Sequence, residues 1–190
     1  MEFLKDIRAE KLLARKNLSE REVAEKSELI CCNLQKSKLV QNAKTVLTYL
    51  PYGNEASLKL LNEFFWQKGV RLLVPVCRES ESGIMDAALF MPEDLNNLKK
   101  TKLGVWEPKN CITEDPENID LVLVPGVVFD RQGGRMGHGM GYYDRYLPKL
   151  KKDAKAIGIG YEIQLLDFLP RQPWDYPLDG LCTEEGFYEF

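Results

Sequence analysis

The sequence has no basic excess, no paired-cysteine motif and no apolar run long enough to cross a bilayer. Its 26 lysines and arginines are outnumbered by 29 acidic residues, giving a formal net charge of -3 and a pI near 5.4. Dedicated nucleic-acid binders carry the opposite balance, so no nucleic-acid partner is expected. The five cysteines (Cys31, Cys32, Cys77, Cys111 and Cys182) are odd in number, two are adjacent, and none forms a CxxC pair. That pattern suggests neither a disulfide framework nor a zinc site. No stretch approaches the ~20 apolar residues of a membrane span, and no secretory apolar region opens the chain. A reducing, soluble setting follows: a cytoplasmic protein without a membrane partner, expected as a monomer. Internal repeats and low-complexity tracts are also missing.

What is present is an ordinary globular balance, 44% hydrophobic and 29% charged. The 190 residues suit one domain, residues 1–190, that buries most of its unfolded surface without staples. Phe3, Leu4, Ile7, Leu12 and Leu13 recur with the helical period, and Ser19 followed by Glu22 forms a capping box that opens a second helix through Leu34. A helical pair over 1–38 is therefore expected. The basic residues there (Lys5, Arg8, Lys11, Arg15, Lys16, Arg21) interleave with acids, and the plainer reading is a solvated helix face.

Short apolar runs then alternate with helical stretches. Strands are expected at Thr45–Leu50, Val70–Val76, Asp120–Pro125 and Ala156–Gly160, with a helix at Ala56–Lys68 closed by Gly69. Glu79 to Pro108 is less regular, with a turn at 80–83, a short strand at Ala87–Phe90 and a weak helix opening at Met91. Near-continuous apolar strands between helices predict an α/β domain: three layers around a mostly parallel, Rossmann-like open sheet.

The most informative stretch runs from Val124 to Arg145. It leaves the end of a strand, where open α/β sheets bind ligands. Gly133, Gly134, Gly137, Gly139 and Gly141 fall within nine residues, and glycine lets a phosphate approach the backbone closely. A helix starting near Gly141 adds free N–H groups. Arg135 can meet phosphate with a bidentate fork, and Asp144 in the first helical turn can hold Mg²⁺. The loop is neither a Walker A motif nor a dinucleotide fingerprint. Two plainer readings stand beside this one: glycines serving only turn geometry, and Asp144 as an ordinary acid at a helix start.

The residues Leu123 to Leu147, LVPGVVFDRQGGRMGHGMGYYDRYL, closely resemble the signature LVPGxxFDxxGxRLGxGxGYYDRxL of the 5-formyltetrahydrofolate cyclo-ligase family. Lys5 and Arg8 near the start, the run from Tyr49 to Glu55, Gly104 to Pro108 and Leu178-Asp179-Gly180 extend the resemblance over essentially the whole chain. Met136 replaces the usual Leu, and His138, the single histidine, stands where relatives often carry Arg or Tyr.

The resemblance implies ATP and Mg²⁺ as co-substrate and metal, and 5-formyltetrahydrofolate as substrate. It places Lys5, Arg8, Arg135, Met136, Gly137, His138, Gly139, Met140, Gly141, Tyr142 and Tyr143 around ATP, and Asp144 and Asp179 on the metal. Leu50, Glu55 and the loop residues His138 to Tyr142 contact the folate, and catalytic roles fall to Arg135 and Tyr142. It also implies a fold shared with sugar-phosphate isomerases and CoA transferases. Those classes, which need no ATP, and a nucleotide- or RNA-binding module are the alternatives. Glu55 as an exposed acid at a helix start and Tyr142 as a core aromatic are the plainer readings of those residues.

Overall fold

A computed structural model describes residues 2–78, 80–102, 104–109 and 111–190; Glu79, where the irregular segment begins, lies outside them. The chain opens with α1 (Glu2–Lys16), α2 (Glu20–Lys36) and a short α3 (Lys38–Asn42). The expected capping box forms: the Ser19 hydroxyl accepts from the Glu22 amide, and the Glu22 carboxylate accepts from the Ser19 amide at 2.8 Å. Ser37 ends α2 in an extended conformation and caps α3 through Leu39, so a third helix follows the expected pair.

The remaining elements are β1 (Thr45–Leu47), α4 (Lys59–Gln67), β2 (Arg71–Cys77), β3 (Met85–Leu89), β4 (Leu98–Lys100), β5 (Trp106–Pro108), β6 (Thr113–Glu114), β7 (Leu121–Pro125), β8 (Val128–Asp130), β9 (Arg135–Met136), α5 (Tyr142–Tyr146), β10 (Lys155–Ile159), β11 (Leu165–Leu166), β12 (Gly180–Cys182) and β13 (Phe187–Glu189). Among the described residues, eight strands build the main sheet in the order β13-β12-β10-β7-β1-β2-β3-β6. Its five central strands, β12 to β2, run parallel. The outer strands β13, β3 and β6 are antiparallel.

The apolar runs read as they do because both faces of this sheet are covered. Val46, Leu121, Leu123, Ile157 and Ile159 turn to a core shared with α2 and α4 through Ile30, Leu34, Leu61 and Phe65. Leu47, Val122, Val124 and Ala156 turn the other way, onto Tyr146, Leu147 and Leu178. The sequence expectation of a covered, mostly parallel sheet thus holds.

Several boundaries move. β1 leaves the sheet after Leu47, three residues early, and this frees Tyr49 and Leu50 to face a cavity. α4 begins at Lys59 rather than Ala56, since Ala56 and Leu58 are buried in the approach to it. Gly69 closes it as expected at φ +70°. The segment opening at Met91 is a single 3-10 turn, Pro92–Asn96. Among the described residues, no helix is long and apolar enough to cross a membrane.

Candidate active site

A cavity of about 820 Å³ opens where the chain leaves the C-terminal ends of β1, β2 and β7, the edge at which open α/β sheets bind ligands. The glycine-rich stretch walls one side of it. That stretch starts from a small three-stranded sheet, β11-β8-β9. Asp130, only 1% exposed, holds its turn by accepting from the amides of Gln132 (2.9 Å), Gly134 (2.7 Å) and Leu169 (2.9 Å). A Cβ on Gly134 would lie 2.6 Å from the Asp130 carboxylate, so no side chain fits there.

This hairpin puts Arg135 on β9, not in a free loop, and that is why its side chain is buried. Its Nη2 donates to Asp144 Oδ1 at 2.7 Å, and its guanidinium lies over the Tyr143 ring, 5.6 Å from the centroid. Arg8, from α1, approaches the loop from outside: a Cβ on Gly139 would stand 3.4 Å from its guanidinium. Among the described residues, the buried Nε of Arg8 and of Arg135 find no acceptor, nor do the amides of Gly137, His138, Gly139 and Met140. Two guanidinium groups and a run of free N–H donors therefore surround one concave wall. That donor set suits a polyanion. Gly139 and Gly141 hold left-handed φ values of +97° and +67°. The helix behind them, α5, has five residues, so the loop amides contribute more here than the helix end does.

A carboxylate faces this wall. Glu55 is 9% exposed, which overturns its reading as an exposed helix acid. Its Oε2 accepts from the Tyr52 amide at 2.9 Å, while Oε1 stands 3.5 Å from Arg15 Nη1 and 3.7 Å from His138 Nε2. Arg15 also donates to the Gly126 carbonyl at 3.1 Å. Arg15 is 4% exposed, so one member of the solvated basic face instead ties α1 to the site. Leu50 and Met140 add apolar lining, with Tyr142, which packs on the core as well. Burial first, and then Cys77, pushes the Tyr142 phenol above its ordinary range, so it stays a donor.

The structure does not bring together every expected site residue. Lys5 is exposed on α1 and lies outside the cavity lining, one turn before Arg8. Asp179 immediately precedes β12, at the opposite end of the strands from the cavity, so it is not beside Asp144. Its carboxylate accepts from Lys155 Nζ and the Ala156 amide, both at 2.9 Å. Three lining or supporting residues carried no signal of their own in the sequence: Arg15, Trp174 and Asp175. Arg15 lies far along the chain from the partners it meets, and the other two sit in a segment without periodicity.

The comparisons with known proteins decide the family. The model of the 5-formyltetrahydrofolate cyclo-ligase family matches residues 2–184. The chain belongs to that family. It is similar to the 5-formyltetrahydrofolate cyclo-ligase of Haemophilus influenzae, 31% identical over 141 residues that cover 73% of this chain and 74% of the relative. Its fold resembles the 5,10-methenyltetrahydrofolate synthetase of Aquifex aeolicus, with a TM-score of 0.82 at 33% identity, covering 97% of this chain and 91% of the other. The synthetase of Mycoplasma pneumoniae matches at a TM-score of 0.76 and 27% identity, covering 95% and 98%. Of the enzyme classes raised by the sequence, family membership selects the ligase.

Proposed function

We propose that the chain uses ATP and Mg²⁺ to close 5-formyltetrahydrofolate into 5,10-methenyltetrahydrofolate, releasing ADP and phosphate. The observation that carries this reading is the wall of free loop amides and paired arginines set opposite the buried Glu55 carboxylate within one cavity. One side suits phosphates and the other suits the N–H edge of a pterin.

An N5-formyl oxygen is a poor leaving group. In the proposed sequence that oxygen bonds to the γ-phosphorus as the bond to ADP breaks, leaving an imidate phosphate. N10 then bonds to the activated carbon and gives up its proton, and the C–O bond breaks to release phosphate with its electron pair. The contribution of the protein is positioning and charge stabilisation. Arg135 and Arg8 neutralise charge gathering on the transferred group. Gly137 to Tyr143 cradle the triphosphate, Glu55 and Leu50 hold the folate ring, and Tyr142 packs along it while donating from its phenol. His138, beside Glu55, sits where phosphate and folate meet.

Bound Mg²⁺ would supply charge neutralisation at the phosphates. It is typically held by one or two carboxylates plus phosphate oxygens and water, not by a protein cage. Asp144 fits that description: it lines the cavity beside Arg135. Asp179 does not fit, because its carboxylate is engaged at the other end of the sheet. Among the described residues no cluster of three acidic, His or Cys side chains forms a ready-made cage. The test is stoichiometric: phosphate release from ATP should depend on added 5-formyltetrahydrofolate, one phosphate per methenyl product. Phosphate release indifferent to the folate would sink the proposal.

A further inference from the structure

We infer that Arg145 is a positioning residue, a clip that ties the glycine loop to the β2–β3 turn and so sets the loop against its ligand. The part of this that concerns nucleotide rests on reading the loop as the ATP site. Arg145 sits in the last turn of α5 and its side chain runs back toward the loop. Its Nη1 donates to two carbonyls from distant parts of the chain, Met140 at 2.7 Å and Gly83 at 3.0 Å. Residues 137 to 140 otherwise bond to no protein acceptor through their amides, among the described residues. The clip therefore adds a fixed point to a stretch otherwise held by side-chain contacts, those of His138 with Glu55 and Tyr52 and of Arg8 beside Gly139.

Two glycines make room for this guanidinium. Gly83 and Gly141 both hold left-handed φ values, +80° and +67°. A Cβ on Gly83 would run into Arg145 Nη1 and stand 2.9 Å from the Met140 carbonyl; one on Gly141 would stand 3.2 Å from the same Nη1. The anchor end is firm. Arg78 donates to both carboxylate oxygens of Asp86 at 2.7 and 2.8 Å, and the amides of Arg78, Glu81 and Ile84 close bonds within the turn. An arginine fork suits this turn because one nitrogen can serve two carbonyls at fixed geometry.

The test compares Arg145→Ala, Arg145→Lys, Gly83→Ala and the double variant Gly83→Ala/Arg145→Ala in the full chain. Limited chymotrypsin cleavage within the loop, at Met140, Tyr142 or Tyr143, is read first, without any ligand. Steady-state kinetics with ATP and 5-formyltetrahydrofolate follow. Cleavage should quicken in Arg145→Ala and in Gly83→Ala, and Arg145→Lys should restore part of the resistance. The KM for ATP should rise about tenfold in each, with kcat and the KM for the folate moving less than about twofold. Because both changes break one clip, the double variant should be no worse than either single one. Unchanged cleavage, or additive effects in the double variant, would overturn the clip. Faster cleavage with an unaltered KM for ATP would leave the clip standing and remove nucleotide from the loop.

Discussion

The Arg135 guanidinium donates to the Asp144 carboxylate at 2.7 Å, so the two charged groups beside the glycine loop are partners of one another. Each is also proposed to meet phosphate, directly or through Mg²⁺, and binding must therefore loosen a pair that the fold has made. Asp144→Asn keeps the hydrogen bond but leaves the buried Arg135 charge without its counter-ion. Turnover should be lost, and stability should drop by about 1–2 kcal/mol, a fall of a few degrees in Tm that ATP reverses. Arg135→Ala should lower kcat/KM by about 30- to 1000-fold, or roughly 2–4 kcal/mol of transition-state stabilisation. Calorimetry with and without ATP, alongside turnover, checks both. Wild-type turnover in Asp144→Asn would take Asp144 out of the chemistry.

Glu55 shares Oε1 between Arg15 and His138, and both Arg15 and Glu55 are buried. Glu55→Gln should weaken folate binding by about 10- to 100-fold while the affinity for ATP holds. Arg15→Met strands a buried carboxylate and should cost about 3–5 kcal/mol of stability; adding Glu55→Gln to it should recover part of that loss. Chemical denaturation and folate titration separate the two effects. Unchanged folate affinity in Glu55→Gln would remove that residue from the binding site.

Asp179 joins the start of β12 to β10 through Lys155 and the Ala156 amide. Asp179→Asn should therefore lower stability by about 1 kcal/mol and leave the magnesium concentration for half-maximal activity unchanged. Asp144→Glu, by contrast, should shift that concentration. A raised magnesium requirement in Asp179→Asn would show that the metal reaches this carboxylate after all.

The sheet was legible because its strands are apolar on both faces, and the loop because five glycines crowd one strand exit. Partnerships were not. Arg15 reads as one more charge on a basic helix, since only the folded chain brings it to Glu55, 40 residues on. Arg135 reads as a loop residue because a two-residue strand has no periodicity to detect. Asp179 carries the family pattern, yet which end of a strand an acid occupies depends on register, and register is a property of the assembled sheet. The edge strands were missed for the same reason: two or three residues long, they exist through their neighbours.

Asp120 gives the fold a pH dependence of known sign. Burial alone raises its carboxyl pKa, but Lys151 and the amides of Thr45 and Lys44 together outweigh that and hold it below the usual carboxylate range. A lowered folded-state pKa means stability that is present above about pH 4, the ordinary aspartate value, and lost as pH falls through the folded value. Melting curves from pH 7 to pH 3 should show Asp120→Asn less stable than wild type at neutral pH and converging on it in acid. Parallel curves across that range would contradict the assignment.

The most direct test of the proposed chemistry mixes purified protein with 5-formyltetrahydrofolate, ATP and Mg²⁺ and follows the near-ultraviolet band of the methenyl product. The band should grow with all components present and fail to grow when ATP or the metal is omitted. No band with ATP still bound would assign the phosphate site to another acceptor. A band that grows equally without ATP would contradict the proposed phosphoryl transfer itself.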